Sequence, residues 1–181
     1  MLKLATALPL TLTTLLTISA CGAPNLAAPD MAQTPVAQTP AGDATIVALS
    51  GVKLSDAEAR RRVTEAGIPV VSSGNCSTRS ISTCTSLEQI YSGTIDGIIT
   101  LKRASGCGVN ITGGTEVGHA SGTYSHYNGY KVDTSITTCI NSYITRNFTY
   151  IGLRGDGAPQ YKSAAGNIYA KESNHWDILY Y

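Results

Sequence analysis

Gly118-His119-Ala120-Ser121-Gly122-Thr123-Tyr124-Ser125-His126-Tyr127-Asn128-Gly129-Tyr130-Lys131-Val132-Asp133 is the stretch around which the chain is organised. Two side chains able to bind a metal, His126 and Asp133, bracket Gly129, where the missing Cβ lets the backbone turn. Tyr130 to Asp133 reads as a strand, and so does Val109-Asn110-Ile111-Thr112 running into Gly113-Gly114. The motif is therefore predicted on a strand and the loop leading into it. Upstream, Thr94 caps a helix that carries Ile95, Ile98, Ile99 and Lys102 on one side and stops at Gly106. Downstream, Ser135 caps a helix in which Ile136, Cys139, Ile140, Tyr143 and Ile144 recur at i, i+3, i+4, i+7 and i+8.

Farther out, Ser55 and Glu58 form a capping box that opens a helix to about Ala66, with Gly67 as its stop. Ile68 to Val71 is a short extended run, and Leu87, Ile90 and Tyr91 stand at helical spacing. Thr149 to Leu153, Asn167 to Ala170 and Trp176 to Tyr180 complete the strands, and Gly155-Asp156-Gly157-Ala158-Pro159 is a turn. The expected class is α+β, with helices packed on a mainly antiparallel sheet.

Near the C-terminal end lies a second constellation, Glu172-Ser173-Asn174-His175-Trp176-Asp177. A hydrolytic zinc site takes three protein ligands from histidine and carboxylate and keeps a fourth position for water, whose pKa falls to about 7. His126, Asp133 and His175 fill the ligand roles. Glu172, three residues before His175, is placed as general base. On a straight strand Asp177 faces the same side as His175, as an orienting neighbour or a rival ligand, while Trp176 turns toward the core.

Together, Ser125-His126-Tyr127-Asn128-Gly129-Tyr130-Lys131-Val132-Asp133 and Glu172-Ser173-Asn174-His175-Trp176 resemble the two signatures of the LAS metallopeptidases. That group holds D-Ala-D-Ala carboxypeptidases and dipeptidases, related endolysins and the Hedgehog signalling domain. Its first signature, His-x-x-Gly-x-x-x-Asp, is met by His126, Gly129 and Asp133; its Glu-x-x-His is met by Glu172 and His175. Gly118-His119 also resembles the Hedgehog segment upstream of the first ligand. The resemblance spans roughly residues 109 to 179. It implies a Hedgehog/DD-peptidase-like fold, zinc held by His126, Asp133 and His175, and Glu172 as base in cleavage near D-alanine in peptidoglycan stem peptides. His119 joins Glu172 as a catalytic candidate, and Tyr124 and Ser125 as substrate contacts.

Three departures stand out. Tyr124 occupies the place of a common serine, Lys131 that of a small residue, and Thr112 to Glu116 that of a segment that supplies an arginine near the scissile bond. The developing anion is left to zinc, to His119 or to an arginine elsewhere, such as Arg79 or Arg103.

With 181 residues the chain has room for one ordinary domain plus appendages. Its 13 lysines and arginines against 12 aspartates and glutamates produce no general field for nucleic acid, which is not an expected partner. Residues 1–20 read as a lipoprotein signal peptide: Lys3 precedes the apolar run Leu4 to Ile18, and Ile18-Ser19-Ala20-Cys21 matches a lipobox. Cys21 is then the lipidation site and anchors the chain to a membrane. Residues 21–44, which repeat Ala-Gln-Thr-Pro, read as a disordered tether, and residues 45–181 as the zinc peptidase-like domain. Cys76, Cys84, Cys107 and Cys139 form an even set suited to two disulfides in an oxidising compartment. Three connectivities are open; proximity in sequence favours Cys76 with Cys84, leaving Cys107 with Cys139.

The expected protein is thus an exported, lipid-anchored monomer of the cell envelope and a zinc D,D-peptidase of carboxypeptidase or endopeptidase type. A Hedgehog-like zinc domain that binds cell wall or a protein partner without catalysis is the alternative, since ligands and fold alone do not guarantee chemistry.

Overall fold

The structure, a computed structural model, describes residues 51–181. The expected signal segment, Cys21 and the tether lie outside the described residues. Among those described, three helices pack with a two-stranded sheet and a six-stranded antiparallel sheet, so the class is α+β as expected.

The elements run β1 (Lys53–Leu54), α1 (Asp56–Glu65), β2 (Ile90–Tyr91), α2 (Ser92–Ser105), β3 (Ile111–Gly113), β4 (Lys131–Ser135), α3 (Thr138–Asn147), β5 (Thr149–Leu153), β6 (Pro159–Lys162), β7 (Ile168–Lys171) and β8 (His175–Leu179). In the large sheet the order is β3-β4-β8-β7-β6-β5. The motif-bearing strand β4 and the second motif strand β8, more than forty residues apart in sequence, are thereby neighbours.

Ser55 caps α1 by accepting from the Glu58 N–H, as the capping box predicts. Two other helix starts differ from expectation. Thr94 lies inside the first turn of α2, and its hydroxyl donates to Gly129 O at 2.8 Å, tying the helix to the His126 loop. Thr137, not Ser135, caps α3, accepting from the Ile140 N–H. Ser135 ends β4 and is held by Asn110. Leu87, Ile90 and Tyr91 do not form a helix: Gln89 adopts φ 62, and Ile90 and Tyr91 pair with Leu54 and Lys53. Pro159, expected in the turn, begins the strand β6, which continues through Gln160 to Lys162, residues given no element by the sequence pattern, and joins the edge strand β5 to β7.

Alternation along β4 and β8 sorts their side chains. Val132, Trp176 and Ile178 enter the core together with Ile95, Ile98, Ile140 and Ile144 from the helices. Lys131, Asp133, His175 and Asp177 fall on the opposite face, where they line a cleft. Burying the fully covered isoleucines and Trp176 contributes roughly 1.5–3 kcal/mol each, which fixes the register on which the cleft depends. The disulfides join Cys76 to Cys84 and Cys107 to Cys139, the latter fastening the segment before β3 to α3.

Candidate metal centre

Backbone register builds one half of the site. Asp133 and Asp177 are direct partners across β4 and β8, and Ser135 pairs with His175, so two aspartates and one histidine crowd one end of a strand pair. The other half comes from the loop between β3 and β4. There the Gly129 N–H bonds His126 O at 2.7 Å, and Gly129 O in turn accepts from Thr94 Oγ1 and the Tyr91 N–H. These bonds hold His126 over the strand pair.

Each imidazole that faces Asp133 Oδ1 has a carbonyl acceptor on its other nitrogen. His126 Nδ1 lies 2.8 Å from Gly114 O, and His175 Nδ1 lies 2.7 Å from Asn174 Oδ1. A carbonyl oxygen only accepts, so in each ring Nδ1 is the nitrogen that donates to the carbonyl and Nε2 is the one turned toward Asp133, the atom a metal would take in place of a proton. Those Nε2 atoms approach Asp133 Oδ1 at 3.2 Å from His126 and 3.5 Å from His175. Asp133 Oδ1 is buried and, among the described residues, has no partner other than these two ring nitrogens. A tetrahedral centre with bonds of about 2.0–2.1 Å separates its ligands by about 3.3–3.4 Å. The His126–Asp133 and His175–Asp133 separations bracket that value.

His119 extends the group on the other side. Its ring stacks on His126 with centroids 3.9 Å apart, and its Nδ1 faces Asp133 Oδ2 at 3.8 Å. His119, His126 and Asp133 each offer one ligand atom within 4.8 Å of the others, so this group could hold a metal ion. Glu116, buried beneath, orients His119 through a 3.1 Å contact to Nε2. Burial pushes the Glu116 carboxyl up, but His119 and the N–H groups of Ser86 and Gly114 outweigh it and hold the group below its ordinary range.

The remaining charges lie along the cleft. Asp177 Oδ2 accepts from Lys131 Nζ and from Arg154 Nη1, both at 2.7 Å. Arg154 reaches in from the β5–β6 hairpin and also binds Asp156 and Glu172 Oε1. Glu172 Oε2 lies 3.4 Å from His175 Nε2. Desolvation raises Asp177, yet the hydrogen bond from His126 and the charge of Lys131 prevail and keep it far below the usual carboxylate range. Desolvation lowers His126, and here too the hydrogen bonds, to Asp133 and Asp177, prevail: its pKa is pushed up to about 9. The proton that His126 holds in this field occupies the place of a cation among acceptor oxygens.

His119, His126, Asp133, Glu172 and His175 all line this one cleft of about 570 Å³. Tyr124 and Ser125 stand outside its lining. Tyr124 packs edge-on against Tyr130 and Tyr181, and Ser125 Oγ is buried, accepting from the Asn128 N–H. Arg79 is occupied elsewhere, stacking on Tyr127, and Arg103 lies in a groove with Arg62 and Glu65. The arginine of the cleft is Arg154, which the sequence reading did not single out. Lys131 had a signal, because it alternates with Asp133 on β4 and so shares its face; Arg154 had none, because only sheet topology brings it to Asp177. Comparison with protein families, curated proteins and solved structures finds no match to this chain.

Proposed function

We propose that the protein is a zinc-dependent D,D-peptidase that hydrolyses peptide bonds in peptidoglycan stem peptides. The observation that carries this reading is the convergence of His126 Nε2 and His175 Nε2 on the buried Asp133 Oδ1, with the Glu172 carboxylate beside His175. The two-nitrogen, one-oxygen donor set fits zinc. Zinc, when bound there, supplies a Lewis acid and a water whose pKa falls to about 7.

The chain's own groups supply the rest. Glu172 takes the proton of the attacking water and delivers it to the leaving amine nitrogen. Arg154 fixes Glu172 Oε1, which leaves Oε2 toward the centre. His119, held through Nε2 by Glu116, turns Nδ1 toward the centre, where the ring in its imidazolium form donates to the oxygen that gains charge. Export to an oxidising compartment agrees with the two disulfides, and a lipid on Cys21 would hold the domain, as a monomer, at the cell envelope.

Glu172→Gln tests the assignment. It removes the base and leaves His126, Asp133 and His175 untouched, so muropeptide cleavage is expected to fall at least 100-fold with zinc content unchanged. Cleavage retained by the variant would remove Glu172 from the mechanism. A zinc-loaded wild type that binds peptidoglycan and never cleaves it would favour the non-catalytic reading, which the ties of Glu172 and Asp177 to Arg154 also accommodate.

A further inference from the structure

The cleft does not end at the centre. A hollow of about 290 Å³ shares Gly118 and His119 with it, and another of about 550 Å³ shares Asp156 and Glu172. His119 faces Asp133 Oδ2, whereas His175, beside Glu172, faces Asp133 Oδ1, so the two hollows open from either side of Asp133. A trough of this form receives chain on both sides of a bond held at the centre.

Charge along the trough decides which chain fits. The cleft is lined by four acids, Asp133, Asp156, Glu172 and Asp177, and by two bases, Lys131 and Arg154. A divalent ion balances these fixed charges and leaves no surplus for an anion. Both bases are also occupied. Lys131 Nζ donates to Asp177 Oδ2, and four of the five guanidinium N–H groups of Arg154 go to Asp156, Glu172 and Asp177. Among the described residues, no lysine or arginine lines the hollow beyond His119. Lys171, at the other hollow, pairs with Trp176 across β7 and β8 and so belongs to the face away from Asp177. A free terminal carboxylate drawn into this trough would lose water and meet no unpaired side-chain cation, an uncompensated burial of charge.

We propose that the site is an endopeptidase, taking a bond inside a chain that passes through the trough, and that Asp156 sets this choice by occupying Arg154. The proposal rests on the reading of the centre as a zinc peptidase. Asp156 stands on the β5–β6 turn, where its carboxylate accepts from Arg154 Nε and Nη2 and from the Ala158 N–H; the mechanism above does not use it. Arg154 fixes the base through Glu172 alone. Without Asp156, its Nε edge would be a ready fork for a substrate carboxylate. The matching bond is a cross-link in which a D-alanyl carbonyl is joined to an amine whose carbon bears no carboxylate, such as a lysine side chain.

The test compares two substrates of the zinc-loaded full chain, with products followed by mass spectrometry. One is a monomeric stem pentapeptide ending in a free D-Ala-D-Ala carboxylate; the other is a stem dimer cross-linked through a lysine side-chain amine. The dimer is expected to show a kcat/KM at least about 10-fold higher, the consequence of leaving a charged group without a partner. Equal or faster cleavage of the monomer would overturn the endopeptidase assignment and leave the zinc peptidase standing. Cleavage of neither would overturn the peptidase reading and this inference with it. Asp156→Asn removes the charge that competes for Arg154 at a half-exposed side chain and keeps an acceptor for the Ala158 N–H. It is expected to lower the KM for the monomer about 10-fold, with dimer cleavage reporting that the variant is folded. A monomer KM unmoved by Asp156→Asn would overturn the role given to Asp156. Should the variant cleave neither substrate, the wild-type comparison still decides between chain end and chain interior.

Discussion

Asp133 and Asp177 stand directly opposite each other on β4 and β8 and turn into the same cleft, each with a buried Oδ1 facing His126 Nε2. Like charges in that cross-strand position repel and destabilise a sheet pair. The metal-free protein offsets the repulsion with Lys131, Arg154 and a protonated His126. A divalent cation relieves it directly, which couples the occupancy of the site to the stability of the sheet.

That coupling predicts a thermal response to chelation. Zinc at 100 times its Kd adds about 2.7 kcal/mol, and at roughly 4 °C per kcal/mol for a domain of this size its removal is expected to lower Tm by roughly 10 °C. Differential scanning calorimetry with and without EDTA measures it. Asp133→Ala, which removes the carboxylate that both histidines face, is expected to retain no zinc by elemental analysis and to show no EDTA effect. An equal EDTA shift in the variant would place the metal elsewhere.

Protonation gives a second prediction. His126 titrates near 9 in the metal-free fold and near 6.5 when unfolded, so its folded-state pKa is raised. Its contribution to stability is therefore complete below about pH 6.5 and is lost as pH rises through about 9. Urea midpoints of the metal-free protein are expected to fall between pH 7 and 9.5. Metal must displace this proton, so binding at pH 7.5 is expected to release about one proton, detected by calorimetric titration in buffers of different ionisation heat. No release would mean that the metal binds away from His126 Nε2.

The sequence disclosed those parts of the site whose spacing is local. His126, Gly129 and Asp133 lie on one loop and strand, and Glu172 and His175 fall within one turn and its following strand, so their proximity needed no knowledge of topology. The Ser55 cap was equally legible because its partner is three residues away. Long-range pairing was not. Ile90 and Tyr91 look helical by spacing and become a strand because Leu54 and Lys53, thirty-six and thirty-eight residues earlier, offer an edge. Arg154 reaches Asp177 only because β5 to β8 lie in sequence order across the sheet and the β5–β6 turn folds over the cleft.

The two disulfides are expected to differ in weight. Closing the 32-residue separation of Cys107 and Cys139 constrains the unfolded chain more than closing the 8 of Cys76 and Cys84. Chain entropy puts the two at about 3.7 and about 2.5 kcal/mol. Paired serine replacements followed by urea unfolding are expected to preserve that order; a costlier loss at Cys76 and Cys84 would mean that local packing of the polar loop outweighs loop closure.

Gly129 carries the last prediction, because it serves both the turn and the centre. Its φ is +83, and a Cβ there would stand 2.5 Å from Gln89 O and 2.9 Å from Ile90 Cα, backbone atoms that cannot step aside. Gly129→Ala is expected to cost about 2–5 kcal/mol, from left-handed strain of about 1–2 and overpacking of about 1–3. Gly152 is the control: its φ is +110, nothing lies within 4 Å of an added Cβ, and only the strain remains. If the larger cost arises from the Gln89 contact, Gly129→Ala also shifts the carbonyl that Thr94 and Tyr91 hold and displaces His126, so zinc affinity falls with stability. Gly152→Ala is expected to leave zinc affinity unchanged. Equal losses of stability in the two variants, with affinity intact in both, would show that the turn is free of the centre it carries.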